Sequence, residues 1–347
     1  MELDILGAEK VFIIAELSAN HGGSLEIAQE TIRAAKRAGA DAIKLQTYTP
    51  DTITLNSNKT DFLINHETIW DGQTLFDLYK EAYTPWEWHA ALFQVASEIG
   101  LYCFSSPFDI SAVDFLEKLG CPAYKVASAE ITDIPLIKYI SSKGKPVIIS
   151  TGMADEDDIK LALETVRKTG NTQIGLLKCT SSYPAPLEEA NLIMIEDLEK
   201  RFGVVVGLSD HTLGWVAPVV SVCFGARIIE KHFILDYSIG GPDVSFSLDE
   251  KNFSEMVSAI RAAELAIGKV DYSLTPKMRK SRDFSRSLYV VEPIKFGEYV
   301  TEKNVRSIRP GYGLHPRYFE LVIGKKVNRD LEKGDRFKLD FITTPKI

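Results

Sequence analysis

Between residues 11 and about 268 the chain repeats one pattern. A short apolar run ends in polar residues, and a longer amphipathic segment follows. Eight such runs occur: VFIIAEL (11–17), AIKLQTY (42–48), LYCFSSP (101–107), AYKVASAE (123–130), PVIISTG (146–152), QIGLLKCTS (173–181), VVVGLSDHT (204–212) and RIIEKHFIL (227–235). Between them, segments such as SLEIAQETIRAAKRAG and DEDDIKLALETVRKTG place apolar residues at three- and four-residue steps and stop at glycine, which predicts helices. Strands alternating with helices imply parallel βαβ units, and eight without clear interruption predict a closed (β/α)8 TIM barrel over 1–268. One connection is abnormally long. Residues 50–84 separate the second strand from the next clear helix and are expected to be a loop that covers a site.

After Gly268 the pattern stops. Residues 269–286, VDYSLTPKMRKSRDFSRS, are polar and basic and suit a linker. The short β-like runs of 287–347 predict a separate small β-rich domain.

Composition narrows the function classes. The 347 residues carry a net charge of −8 with acids and bases interspersed, which argues against nucleic acid as the main partner. The start MELDILGAEK lacks the features of a signal peptide, and no apolar run approaches the ~18 residues of a membrane span. Cys103, Cys121, Cys179 and Cys223 lie in apolar runs without metal-ligand spacing and read as buried free thiols. A cytoplasmic protein without membrane attachment is the expectation.

In a TIM barrel the site lies at the C-terminal strand ends. Strand one ends at Glu16, with Asn20 and His21 beyond it; strand two offers Lys44 and Gln46. Strands three to seven all finish in serine or threonine, with Lys125 and Lys178 nearby. Hydroxyls, backbone N–H groups and ammonium groups at one rim suit an anion such as phosphate or carboxylate, although any single serine is commonly a turn former. His211 and His232 end neighbouring strands. Two imidazoles plus oxygen ligands there suit a divalent ion, Mn or Fe before Mg, while each histidine alone more often reads as a hydrogen-bonded structural residue.

The stretches FIIAELSANHGGSLEIA, AGADAIKLQTYTPD, CFSSPFD, KCTSSYPAP, GLSDHT, IIEKHF and GPDVSFSLD occur in this order. Together they resemble the sialic acid (nonulosonic acid) synthase family, and the tail SIRPGYGLHP resembles its C-terminal antifreeze-like (SAF) domain. AELSANH, TYTPDT and SRSLYV look closest to the branch that forms pseudaminic acid; the neuraminate branch more usually has glycine where this chain has Ser18. The resemblance implies condensation of phosphoenolpyruvate with an acetamido sugar aldehyde, 2,4-diacetamido-2,4,6-trideoxy-altrose in that branch. Neuraminate or legionaminate formation are the alternatives.

It also implies roles for residues. His211 and His232 match the metal ligands, for Mn2+ first and Mg2+, Co2+ or Fe2+ as alternatives. Lys44, Ser106, Lys125 and Ser128 match phosphoenolpyruvate contacts, as do Ser150, Ser181 and Ser209. Ser181 stands where neuraminate synthases often have asparagine. Glu130, Tyr183, Asp243 and Arg309 match sugar contacts. Glu16 matches an acid of proton handling, against which stands a purely structural ion pair to Lys44 or Lys125. The family forms a homodimer in which the SAF domain of one subunit covers its partner's barrel. Two readings of other classes stand beside this one: a pyruvate aldolase with a Schiff base on Lys178, and a non-catalytic carbohydrate-binding protein.

Overall fold

Helix caps and strand parity account for most of the architecture. The computed structural model describes residues 5–65 and 69–343. The eight apolar runs form parallel strands: β1 (Phe12–Glu16), β2 (Ala42–Thr47), β3 (Tyr102–Pro107), β4 (Tyr124–Val126), β5 (Val147–Ser150), β6 (Ile174–Cys179), β7 (Val205–Asp210) and β8 (Ile228–His232). They pair in sequence order, and β8 closes on β1 to complete the barrel. A helix follows each strand. The helix Glu156–Lys168 shows why: Asp155 and Asp158 form a capping box, acids occupy its first turn, and Arg167 and Lys168 its last. Helix Leu25–Arg37 repeats the device with Ser24 accepting from the Ile27 N–H.

Parity divides each strand between two layers. On β1, Phe12 and Ile14 belong to one apolar cluster, while Ile13 and Ala15 pack with Ile32, Ala35 and the helix Glu250–Ile267 in another. Glu16 shares the inward parity of Phe12 and Ile14. On β7 only glycine fits at position 207: a Cβ on Gly207 would lie 2.1 Å from the Ile228 carbonyl oxygen and 2.8 Å from Leu177.

Residues 50–84 depart from the expected loop. They contain the helix Pro50–Ile53, a 3-10 turn Thr60–Phe62 and the helix Leu75–Ala82, capped by Thr74. These elements are too short for periodicity to announce them. Residues 66–68 of this segment lie outside the described residues.

The chain divides into two units, Met1–Gly268 and Lys269–Ile347. Within the span read as a linker, Thr275 caps a short helix, Pro276–Ser281, so the span is not uniformly extended. The second unit pairs β9 (Ser287–Val290) antiparallel with β10 (Val305–Ile308), and isolated bridges replace further strands. Its own core gathers Leu288, Val290, Val305, Val327 and Phe337. Of the cysteines, Cys103, Cys121 and Cys179 are buried, but Cys223 is exposed because it falls at the outer end of the helix Val216–Cys223. No helix among the described residues is long and apolar enough to cross a membrane.

Candidate active site

Inward parity carries a set of polar side chains to the C-terminal mouth of the barrel. Register sets Glu16 beside Lys44 and His232, Gln46 beside Ser106, and Ser209 between Cys179 and Glu230. They meet in or beside a cavity of about 680 Å³. Outward parity removes other rim residues from it. Lys178 points away from Cys179 and donates to the Cys179 carbonyl and, at 3.0 Å, to Thr180. Lys231 is buried in an ion pair with Asp210 at 2.6 Å, and Ser105 donates to the Leu45 carbonyl.

The floor is an anion cradle. Lys44 Nζ lies 2.8 Å from Glu16, 3.7 Å from Glu230 and 3.2 Å from Ser106 Oγ. Ser106 does not itself line the cavity and meets it through Lys44. Lys125 Nζ donates to Ser150 Oγ at 2.6 Å. Ser128 Oγ accepts from the Gly152 N–H at 3.2 Å. Gly152 has to be glycine, since a Cβ would lie 2.2 Å from Ser181 Oγ and 2.8 Å from Ser128 Oγ. Ser209 donates to Glu230 at 3.0 Å.

Three buried carboxyls divide by environment. Burial raises Glu16 to about 7; Lys44 lowers it, and Glu230 pushes it up again. Glu230 is buried as deeply, but Lys125, Lys44, the Ser209 hydrogen bond and His211 together outweigh the burial and hold its pKa down. Of this pair Glu16 is therefore the one that takes the proton. Burial also raises Glu130 to about 7, at the start of the 3-10 turn after β4. The ion pair between Glu16 and Lys44 exists, and a group near neutrality inside it is equally suited to proton transfer.

His211 and His232 stand with ring centroids 5.3 Å apart. His211 Nδ1 lies 3.1 Å from the Thr180 carbonyl, which accepts its proton and leaves the Nε2 lone pair available to a ligand. Burial, then His211 and the lysines, keep His232 neutral. Its buried Nδ1 has no hydrogen-bond partner and lies 3.6 Å from Asp243. Two neutral-capable imidazoles facing one cavity suit a shared divalent ion. Among the described residues no cluster of three or more His, Cys, Asp or Glu is arranged to hold one, so the remaining positions would fall to substrate and water oxygens. Cys179 Sγ lies 3.8 Å from His211 Nδ1, and the two perturb each other: the thiol falls to about 7 despite burial, and the imidazole rises.

Tyr183 packs on His211 at 4.5 Å and on Trp70 at 5.4 Å. Together with Ile53, Leu63 and Leu78 from the 50–84 segment, Trp70 adds an apolar part to the lining of the cavity. Glu130 and Asp243 also line the cavity. Arg309 belongs to the second unit and is exposed there. Asn20 donates to the Phe233 carbonyl and Ser247, bracing the first loop. His21 packs edge-on against Trp88.

Glu230, Ser18 and Cys179 line the site but were given no role from the sequence, and Gln46, placed there at the end of strand two, lines it as well. Period-two spacing was the available signal: Glu230 shares a face with His232, Gln46 with Lys44, and Cys179 with Leu177. Trp70 and the other residues of the 50–84 segment carry no such signal.

A model of the NeuB family matches residues 31–272, and a model of the SAF domain matches 285–342. A pseudaminic acid synthase of Campylobacter jejuni is 50% identical over 330 residues, 95% of this chain and 96% of the relative. A pseudaminic acid synthase of Helicobacter pylori is 45% identical over 331 residues, 95% and 97% of the two chains. The crystal structure of the Bacillus subtilis spore coat polysaccharide biosynthesis protein SpsE matches with a TM-score of 0.66 and 34% identity, covering 98% of each chain.

Proposed function

The chain belongs to the NeuB family, and from that premise we propose that it condenses phosphoenolpyruvate with 2,4-diacetamido-2,4,6-trideoxy-altrose and water to give pseudaminic acid and phosphate. The observation that carries this reading is the likeness to pseudaminic acid synthases along nearly the whole chain. It is a phosphoenolpyruvate-dependent nonulosonic acid synthase, a transferase.

The floor suits this chemistry. Lys44 and Lys125 offer cationic donors to the phosphate and carboxylate, and Ser128, Ser150, Ser181 and Ser209 surround them with hydroxyls. C3 of phosphoenolpyruvate forms the new bond to the aldehyde carbon, and the aldehyde oxygen takes a proton. Water adds at C2 and loses one proton; the hydroxyl so formed then gives up its second proton as C2 becomes a carbonyl, the C2–O bond to the phosphate breaks, and phosphate leaves with that proton. Glu16, poised near neutrality, takes the proton of water and can return it. Glu130, Tyr183 and Asp243 hold the sugar. His211 and His232 would hold a divalent ion, Mn2+ first, with Mg2+, Co2+ or Fe2+ as alternatives; when bound it supplies Lewis acidity toward the aldehyde.

A homodimer belongs to this proposal, with Arg309 of the SAF unit completing the sugar site of its partner. Val270 and Tyr272, 88% and 96% exposed, support a surface that a second copy covers. The reaction is placed in the cytoplasm, consistent with cysteines that are free thiols. The outward direction of Lys178 speaks against a Schiff-base aldolase. Phosphate release against a panel of acetamido sugars tests the reading. Greatest activity is expected with the diacetamido-trideoxy-altrose; a clear preference for N-acetylmannosamine would overturn the sugar assignment and leave the family intact.

A further inference from the structure

Inward parity on β2 continues past the end of the strand. Lys44 and Gln46 face the cavity, and Tyr48, the next residue of that parity, lines it too. At about 3.3 Å of rise per residue, the Tyr48 backbone stands about 13 Å beyond that of Lys44 toward the mouth. Its place is fixed by three aromatic neighbours. The Tyr48 carbonyl accepts from Trp86 Nε1 at 3.0 Å, and the ring packs edge-on against Phe108 at 5.1 Å and Tyr79 at 5.8 Å.

Tyr48 is 3% exposed, yet its hydroxyl has no hydrogen-bond partner among the described residues. The polar atoms sealed from solvent without a partner belong to other residues, so this oxygen opens on the cavity. Burial raises the phenol above its ordinary range and keeps the proton on it. A buried donor left open is costly unless a ligand pairs with it.

The surroundings define the chemistry of that ligand. Ile53, Leu75 and Leu78 line the same cavity from the short helices Pro50–Ile53 and Leu75–Ala82, the second of which also carries Tyr79. One hydroxyl donor among apolar side chains matches an acetamido group, whose carbonyl accepts and whose methyl needs apolar cover. The condensation sets the direction of the sugar. Its aldehyde carbon must meet C3 of phosphoenolpyruvate beside the lysines, so its other carbons extend along the cavity away from Lys44. The acetamido group on C2 adjoins the reacting carbon; the one on C4 lies two carbons farther along.

We propose that Tyr48 is a sugar-binding residue, whose hydroxyl donates to the carbonyl of the C4 acetamido group while Ile53 and Leu78 cover its methyl. This rests on the synthase reading of the site. It makes Tyr48 a determinant of specificity, separating a 4-acetamido sugar from one with a hydroxyl at that carbon.

Tyr48→Phe removes the oxygen and keeps the ring against Phe108 and Tyr79, so its melting temperature should stay within about 3 °C of wild type. KM for the diacetamido sugar should rise about tenfold, with KM for phosphoenolpyruvate within about twofold. The 2-acetamido analogue with a hydroxyl on C4 lacks the contact, and its kcat/KM should change by less than about twofold. The preference for the diacetamido sugar over this analogue therefore falls about tenfold. A Tyr48→Phe enzyme with the wild-type preference overturns the proposal, whether both sugars suffer or neither does. A readout without turnover uses the alditol of the diacetamido sugar, which has no aldehyde to react. By titration calorimetry it should bind Tyr48→Phe about tenfold more weakly than wild type; equal affinity, or no binding to wild type, counts against the proposal. If the wild-type enzyme releases no phosphate with any acetamido sugar, the synthase reading fails while the alditol still decides whether Tyr48 holds an acetamido group.

Discussion

Glu16→Gln isolates the proton-handling role from the ion pair in which it is embedded. The substitution keeps the side chain's size but removes the titrating oxygen that faces Lys44 at 2.8 Å. Loss of a general base in place costs about 10²–10⁴ in rate, or about 3–5 kcal/mol of barrier. As a base Glu16 must be ionised, so wild-type turnover should fall below about pH 7, the value to which burial raises this carboxyl. The fall approaches about tenfold per pH unit, and Glu16→Gln should lack this limb.

Stability should run the other way. The folded pKa is raised, so the stability Glu16 contributes is fully present below 4.5 and is lost as pH rises through about 7. Ionising a carboxyl moved from 4.5 to about 7, a shift that already includes the pull of Lys44, costs about 3 kcal/mol. The amide carries no such penalty. The melting temperature of Glu16→Gln should therefore gain on wild type between pH 5 and pH 8. Phosphate release from pH 5.5 to 8.5, with thermal melts at both ends, measures both effects. Glu130, also raised to about 7, is the control: Glu130→Gln should keep the limb. A Glu16→Gln enzyme with a third or more of wild-type kcat and an intact acid limb would refute the reasoning.

His211→Ala and His232→Ala should each lose dialysis-resistant divalent ion by elemental analysis and nearly all turnover, with an unchanged circular dichroism spectrum; activity that survives exhaustive chelation would remove the metal role. Gly152→Ala should raise KM for phosphoenolpyruvate at least about tenfold in steady-state kinetics, because its Cβ displaces Ser181 and Ser128. Lys178→Gln should keep turnover within about threefold, and borohydride with pyruvate should add no mass to the wild-type chain, since this lysine faces away from the cavity. Mixing refolded Arg309→Ala and His232→Ala chains should restore about a quarter of the sites if pairing in a two-fold dimer is random; no recovery despite verified subunit exchange would exclude a contact in trans.

The barrel was legible in the sequence because its signals are local. Eight β-rich runs alternate with helices such as Glu156–Lys168, whose capping box and charge gradient lie within one stretch of chain. The strand-end rule then brought Glu16, Lys44, Lys125, His211 and His232 to one mouth, since closure in sequence order joins β8 to β1. Other features were beyond reach because they depend on residues distant in sequence. The split between Glu16, raised to about 7, and Glu230, held down, depends on which lysines each one faces. The apolar part of the cavity lining comes from Ile53, Leu63, Trp70 and Leu78, on or beside short helices with too few turns to show a period. The open hydroxyl of Tyr48 has no sign in AIKLQTY, because Phe108 and Tyr79 bury the ring from distant segments. Composition and periodicity determine which face of each element is buried; the pKa of a carboxyl and the aim of a hydroxyl are set by neighbours that only tertiary packing brings within hydrogen-bond distance.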